Sequence, residues 1–529
     1  MAEPACEGSA SEGARGGRAT DVSAGGRAAG GASGAARAAH EGMWRRQPAR
    51  ESAARTYARA LPIVPVRARG MTIEGADGRR YLDCFSGAGA LALGHNHPVV
   101  LEAIRRALDS GAPLQAFDLA TPVQDAFVAE LFRTLPPGLA GHARVRFCGP
   151  GETDAVEAAF RLVRAATGRT GVPALSGDRH GVTAEAAALL GAAGDVQVAR
   201  LPCPRDRSRP VGFGGPQRAE LAAPWSESAF DDPEPGVPRP AGVILEPVQG
   251  ERGVIPAPDA WMRRMREITT ARSIPLIADE VQTGVGRTGA FWAVEHSGVT
   301  PDVMVLSRAI GGSLPLAVLV YRDELDVWQP GAPADTFRGN QLAMAAGTAT
   351  LAYVRENHLA ARAATLGARM LDQLRALQPE FPCVGDVRGK GLMIGVEFVE
   401  FAEAEGGGDL AVRAEALAYD GLGPAAPAPA ADSPHPPAPG IANAVQRECL
   451  RRGLIVELGG PHANVVRLLP PLTVSNEQAA AVLDRLADAV RTVARAHAGR
   501  PSGPRRPQDA GIGLRRQDVR AKRAVRRGS

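Results

Sequence analysis

The chain has 529 residues, 45% of them apolar, enough for two domains and a sizeable core. Its formal charge of +4 is small for that length and much of the basic excess lies in the C-terminal tail, so nothing in the balance asks for nucleic acid as a partner. Six scattered cysteines (Cys6, Cys84, Cys148, Cys203, Cys383, Cys449) lack CxxC spacing, which argues against a disulfide framework or a zinc site and suits the reducing cytoplasm, and no apolar run reaches the ~18 residues of a membrane span.

Residues 1–48 are rich in Ala, Gly and Arg and lack an apolar h-region, so they read as a disordered extension and not as a signal peptide; the twin arginine at Arg45 and Arg46 has no apolar segment after it. MTIEGADGRRYLD then predicts a strand, an Asp-Gly turn and a second strand, followed by the glycine-rich loop FSGAGALALGHNHP. VVLEAIRRALDSG has helical spacing and a glycine stop. RVRFCG reads as a strand, and Ala155 to Thr167 as a helix with Ala155, Val156, Ala159, Phe160 and Val163 on one face. The turn before it, Gly151-Glu152-Thr153, is where free backbone N–H groups and the helix dipole favour an anion.

AGVILEPVQGERGVIP carries an apolar strand that ends at Glu246, with Glu251 five residues on. IPLIADEVQTGVGRTG is a short apolar run that stops at Asp279 and Glu280, and VMVLS is a second, stopping at Arg308 and a glycine pair. Both predict buried strands delivering polar residues at their C-terminal edges, where open α/β sheets place ligands. LPLAVLVYRDELDVW adds a strand and a turn, and ADTFRGNQLAMAAGTATLAYV leads into a long helix. An amphipathic helix in AARAATLGARMLDQLRAL, a strand in GLMIGVEFVE, a Pro/Ala loop at 421–440, and a helix and strand in IANAVQRECLRRGLIVELGG follow; VVRLLPPLT carries Arg467. The tail 499–529 is a basic solvated segment. Two lysines, Lys390 and Lys522, are all that the chain contains, one in the turn of VRGKGLMIGVEF and one in the tail.

LIADEVQTGVGRTG, SRAIGG, DTFRGN and the glycine-rich segments together resemble class III (ω-amino acid) aminotransferases over about 50–498. The resemblance implies an α/β chain of the type I pyridoxal-phosphate transferase fold, a large domain with a mostly parallel sheet between helices plus a smaller α+β domain. The expected division is an N-terminal segment of the small domain at 49–100, a large cofactor-binding domain at 101–350 and a small C-terminal domain at 351–498. It implies pyridoxal phosphate as cofactor, an amino donor and a keto acid as substrates, and a homodimer or higher homo-oligomer. Within the class the segments look most like 2,4-diaminobutyrate:2-oxoglutarate aminotransferases.

Site residues follow from the same resemblance. Asp279 would pair with the cofactor's ring nitrogen and Gln282 with its phenolic oxygen. Gly151, Glu152 and Thr153 would form the phosphate cup, Arg179 and His180 would lie on the pyridine face, and Glu246 and Thr336 would also line the cofactor site. Glu251 and Arg467 would form the substrate gate, in which the glutamate swings aside for a keto acid. No metal is implied. The sequence departs from the family pattern at Arg308, where the family has its Schiff-base lysine, at Glu152 for a glycine, at Arg179 for an aromatic and at Asp335 for a glycine; Arg252 for a glycine is milder. A guanidinium stays protonated and forms no such imine. A carboxylate ~4 Å from a phosphate at an effective dielectric near 20 costs about 4 kcal/mol per unit charge pair. Two readings of Arg308 compete: drift that leaves a weak or decayed aminotransferase, or a pocket turned to another anion or to a partner-subunit role.

Overall fold

The computed structural model describes residues 61–172, 174–175, 200–201, 239–329, 336–400 and 436–498. Arg179, His180, Asp335, Lys522, residues 421–435 of the expected Pro/Ala loop and both chain ends lie outside them; the end of that expected loop is not loop, since Pro437 bridges to Val399 and the helix Pro439–Arg451 begins with a proline in its first turn. The short apolar runs build a seven-stranded sheet in the order Ala143–Phe147, Val318–Arg322, Val303–Leu306, Leu276–Asp279, Val243–Leu245, Ala174–Leu175, Arg200–Leu201. Val318–Arg322 is antiparallel to both its neighbours, and every other pairing is parallel. The mostly parallel sheet expected of the fold is therefore present.

Successive residues of a strand point to opposite faces, and in Val243–Leu245, Leu276–Asp279 and Val303–Leu306 every residue is buried. Leu245, Leu276, Ala278, Met304, Leu306 and Val318 join the larger core with Trp261, Met265 and Ile268 of the helix Asp259–Ala271 and Met344 and Leu351 of the helix Gln341–Glu356. Ile244, Ile277, Val303, Val305 and Leu319 pack against Ala155, Val156, Ala159, Phe160 and Val163 of the helix Glu152–Thr167. Continuous apolar runs, not alternating ones, are what a sheet covered on both sides requires.

Two four-stranded sheets and a two-stranded ribbon, Val248–Gln249 with Ile255–Pro256, accompany it among the described residues. Val384–Lys390, Met393–Phe398, Val465–Leu468 and Glu457–Gly459 form an antiparallel sheet. Pro65–Arg69, Thr72–Gly75 and Arg80–Asp83 are closed by Leu454–Ile455, which joins the N-terminal segment to the C-terminal region. The strand Pro65–Arg69 is an addition to the sequence reading. Lys390 ends a strand instead of sitting in the turn after it.

The helix expected from Ala155 begins three residues earlier, at Glu152. Its first turn closes because the Asp154 carboxylate accepts the Gly151 N–H at 2.9 Å, and Gly168, in the left-handed region at φ 68°, ends it. The same reach of Asp154 uses one of the backbone donors that an anion would otherwise take.

Candidate active site

The strands Leu276–Asp279 and Val303–Leu306 lie side by side and parallel, with Asp279 level with Val305. Their C-terminal ends therefore bring Asp279 and Arg308 to one edge of the sheet. Asp279 is 8% exposed and its Oδ1 accepts the Val281 N–H at 3.0 Å. Its neighbour Glu280 points the other way, into the core, accepting from the Thr283 hydroxyl and, at 2.9 Å, from the Val294 N–H. Burial lifts the Glu280 carboxyl to about pH 7 against the pull of those hydrogen bonds. Gln282 is wedged between Gly250, where a Cβ would collide with its amide, and Gly89, and its Nε2 donates to the Ala88 carbonyl at 3.4 Å.

Arg308 opens a 3-10 turn, Arg308–Gly311, with φ at 53°. A residue with a Cβ pays about 1 kcal/mol or more for that left-handed conformation. The surroundings hold it there. Ser307 Oγ donates to the Leu316 carbonyl at 2.9 Å, Gly312 meets the backbone of Ala346, and Gly347 admits the Ile310 carbonyl where any side chain would clash.

The guanidinium is fully engaged on three sides. Nε donates to Glu152 Oε2 at 2.6 Å, Nη2 donates to Glu152 Oε1 at 3.0 Å, and Nη1 donates to the Ala88 carbonyl at 2.8 Å. Glu152 is the first residue of the helix Glu152–Thr167, so one side chain ties the helix N-terminus, the sheet edge and the glycine-rich loop together. Burial works against the charge on Arg308, but the hydrogen bonds and charge of Glu152, then the charges of Glu251 and Asp279, hold its pKa above the usual arginine value. The Glu152 side chain is 41% exposed, and this contact with water lowers the net worth of the ion pair to about 1 kcal/mol.

The glycine-rich loop takes its shape from Asp83, whose Oδ1 accepts the N–H groups of Phe85 at 2.8 Å and Ser86 at 3.1 Å while Oδ2 binds His95 at 2.8 Å. Arg467 is fully buried on the strand Val465–Leu468. It forks onto Glu251 at 3.0 and 3.2 Å and also reaches Glu457. The pairing of Arg467 with Glu251 is thus present, and Glu457 is a third member that its place in the sequence does not reveal. Glu246 accepts the Gly250 N–H at 2.8 Å, which closes the turn leading to Glu251. Thr336 is exposed and its carbonyl accepts from Gln115 at 2.9 Å. Lys390 donates to Asp259 at 2.7 Å, at the start of the helix Asp259–Ala271, in a separate cluster with His296. No group of metal-ligating side chains occurs among the described residues.

A profile described as aminotransferase class-III matches residues 53–490. This chain belongs to the class III aminotransferase family. It is 48% identical over 459 residues to a diaminobutyrate--2-oxoglutarate aminotransferase of Rhizobium meliloti, covering 85% of this chain and 92% of that one. It is 40% identical to the diaminobutyrate--2-oxoglutarate aminotransferase of Haemophilus influenzae, covering 84% and 94%. Among solved structures, an amine transaminase from an uncultivated Pseudomonas species in its PLP-bound form matches with a TM-score of 0.68 and 30% identity, over 84% of this chain and 98% of that one.

Pyridoxal phosphate is the cofactor of this family. The carboxylate of Asp279 and the amide of Gln282 suit its ring, but the rest of the donor set does not fit a covalently held cofactor. Arg308, which follows Ser307 at the end of Val303–Leu306, is a guanidinium with no free amine to give, and the first helical turn carries the two carboxylates Glu152 and Asp154 where a phosphate would need donors. Among the described residues no helix is long and apolar enough to cross a membrane.

Proposed function

We propose that this chain is a diaminobutyrate:2-oxoglutarate-type class III aminotransferase homologue, built to move a terminal amino group of a diamino acid to or from 2-oxoglutarate, in which transfer is impaired by Arg308. The substrate class is supported by the 48% and 40% identical relatives. The impairment rests on one observation, the bidentate pair between Arg308 and Glu152. In this reading Arg308 stands where the family's lysine would, Asp279 would hold the ring nitrogen protonated and Gln282 would meet the phenolic oxygen. Arg467 would take the keto acid's carboxylate when Glu251 turns out to water. The loss of a general acid/base at position 308 lowers the rate by about 10² to 10⁴.

The same ion pair favours a second reading, a ligand-binding or partner subunit that associates with an active relative. Self-association of the chain as a homodimer is supported by the exposed apolar side chains Leu114, Phe117, Leu119 and Phe337 around Thr336, and a cytoplasmic setting by the free, buried Cys84, Cys148, Cys383 and Cys449. The test is glutamate formation from 2,4-diaminobutyrate and 2-oxoglutarate with saturating pyridoxal phosphate, run beside the Rhizobium meliloti relative. A rate at least 10²-fold below the relative's supports impairment, and equal rates overturn it. Light scattering on the same sample reports the oligomer.

A further inference from the structure

We propose that Glu152 is a second determinant of the lost covalent chemistry, acting as one unit with Arg308, so that restoring an amine at 308 requires neutralising 152 as well. This deepens the reading given above and rests on it. The geometry carries the argument. Both Glu152 oxygens are committed to the Arg308 side chain, at 2.6 and 3.0 Å, across 156 positions of sequence. An ammonium introduced by Arg308→Lys emerges from the same backbone position, 3-10 turn and left-handed φ, with the same carboxylate facing it. Glu251 and Asp279 add to the negative charge around that point. Condensation of an amine with the pyridoxal aldehyde forms a C=N bond and expels water, and the attacking nitrogen must first give up its proton and free its lone pair. A facing carboxylate holds that proton, and each unit by which the amine's pKa rises leaves tenfold less free base at a given pH.

Glu152 also acts on the other end of the cofactor. It is the first helical residue, and Asp154 already takes the Gly151 N–H, so two carboxylates share the turn that a phosphate would need. Glu152→Gln removes one of those charges with little change of shape. The two effects work in the same direction, against attachment at the aldehyde and against the phosphate.

The experiment uses the full chain and three variants, Arg308→Lys, Glu152→Gln and both together. Each is mixed with pyridoxal phosphate at pH 7.5, reduced with borohydride at a fixed short time and weighed intact. The combined variant is expected to carry one covalent adduct per chain, and Arg308→Lys at least tenfold less, with its labelling rising as pH rises. Equal labelling of Arg308→Lys and the combined variant overturns the proposal, as does absence of labelling in both. A second measurement needs no cofactor: unfolding midpoints of Arg308→Met, Glu152→Gln and their combination. A combined loss smaller than the sum of the single losses shows the coupling, and additive losses contradict it. Full turnover by the unaltered protein would sink the proposed impairment but leave this unfolding cycle readable, so the two failures are distinguishable.

Discussion

Arg467 is the side chain whose removal has the most calculable consequence. It has no exposed surface, and its two carboxylate partners differ sharply, because the Glu251 side chain is 43% exposed and that of Glu457 only 10%. In Arg467→Met the volume is largely kept, Glu251 turns into water at small cost, and Glu457 stays behind without its guanidinium. Removing one partner of a buried pair costs about 3–5 kcal/mol, most of it the burial of the charge left over. Replacing both charged members by apolar residues of similar volume is close to neutral. Urea unfolding followed by tryptophan fluorescence should therefore show Arg467→Met destabilised by about 3–5 kcal/mol and Arg467→Met with Glu457→Leu recovering most of that loss. No recovery in the second variant would refute the reasoning, because the cost would then lie in packing and not in a stranded charge.

Glu280 gives the chain a pH signature. Its carboxyl keeps a proton up to about pH 7 in the folded state, against 4.5 in the ordinary case, so the native chain binds more protons between those values and its stability falls by about 1.4 kcal/mol per pH unit across that window, then levels off. Urea midpoints measured from pH 4.5 to 8 should show this component flattened in Glu280→Gln, and an unchanged slope in that variant would contradict it. Burial pushes the Cys383 thiol up to about 11 and the Cys449 thiol up to about 12, and raises Cys84 as well, so iodoacetamide at pH 8 should label none of these three until the chain is unfolded; peptide mapping of the native protein checks this. Gly347→Ala drives a methyl group into the Ile310 carbonyl, two residues past Arg308, and should destabilise by about 1–3 kcal/mol in the same urea assay.

The elements that hold the site were legible because strand ends advertise themselves. Runs such as IPLIA and VMVLS stop at charge, and a parallel sheet buried on both faces leaves its polar residues at the strand termini. Asp279 and Arg308 could thus be placed at strand ends from sequence, whereas the approach of Arg467 to Glu251 was implied by the family resemblance and not by any pattern of strand ends. What sequence withheld were contacts set by side-chain reach. Glu152 and Arg308 each stood out, but nothing local says that they meet, since the bond spans 156 positions. The Ala88 carbonyl belongs to the backbone of a loop and has no side-chain signature. Glu457 lies in a stretch whose strand could be read, while its inward direction is fixed by pairing with Val465–Leu468. The early start of the helix at Glu152 followed from Asp154 folding back on Gly151, a cap that apolar periodicity does not register.

Intact mass after hydride reduction is the shortest route to the point on which all of this turns. The unaltered protein, incubated with pyridoxal phosphate, desalted to remove free and reversibly bound aldehyde, reduced with borohydride and then denatured, should return the mass of the bare polypeptide. A stable adduct of one reduced cofactor mapped to Lys390 or to Lys522 would contradict the account, since the chain would have found an amine that the Arg308 site does not offer.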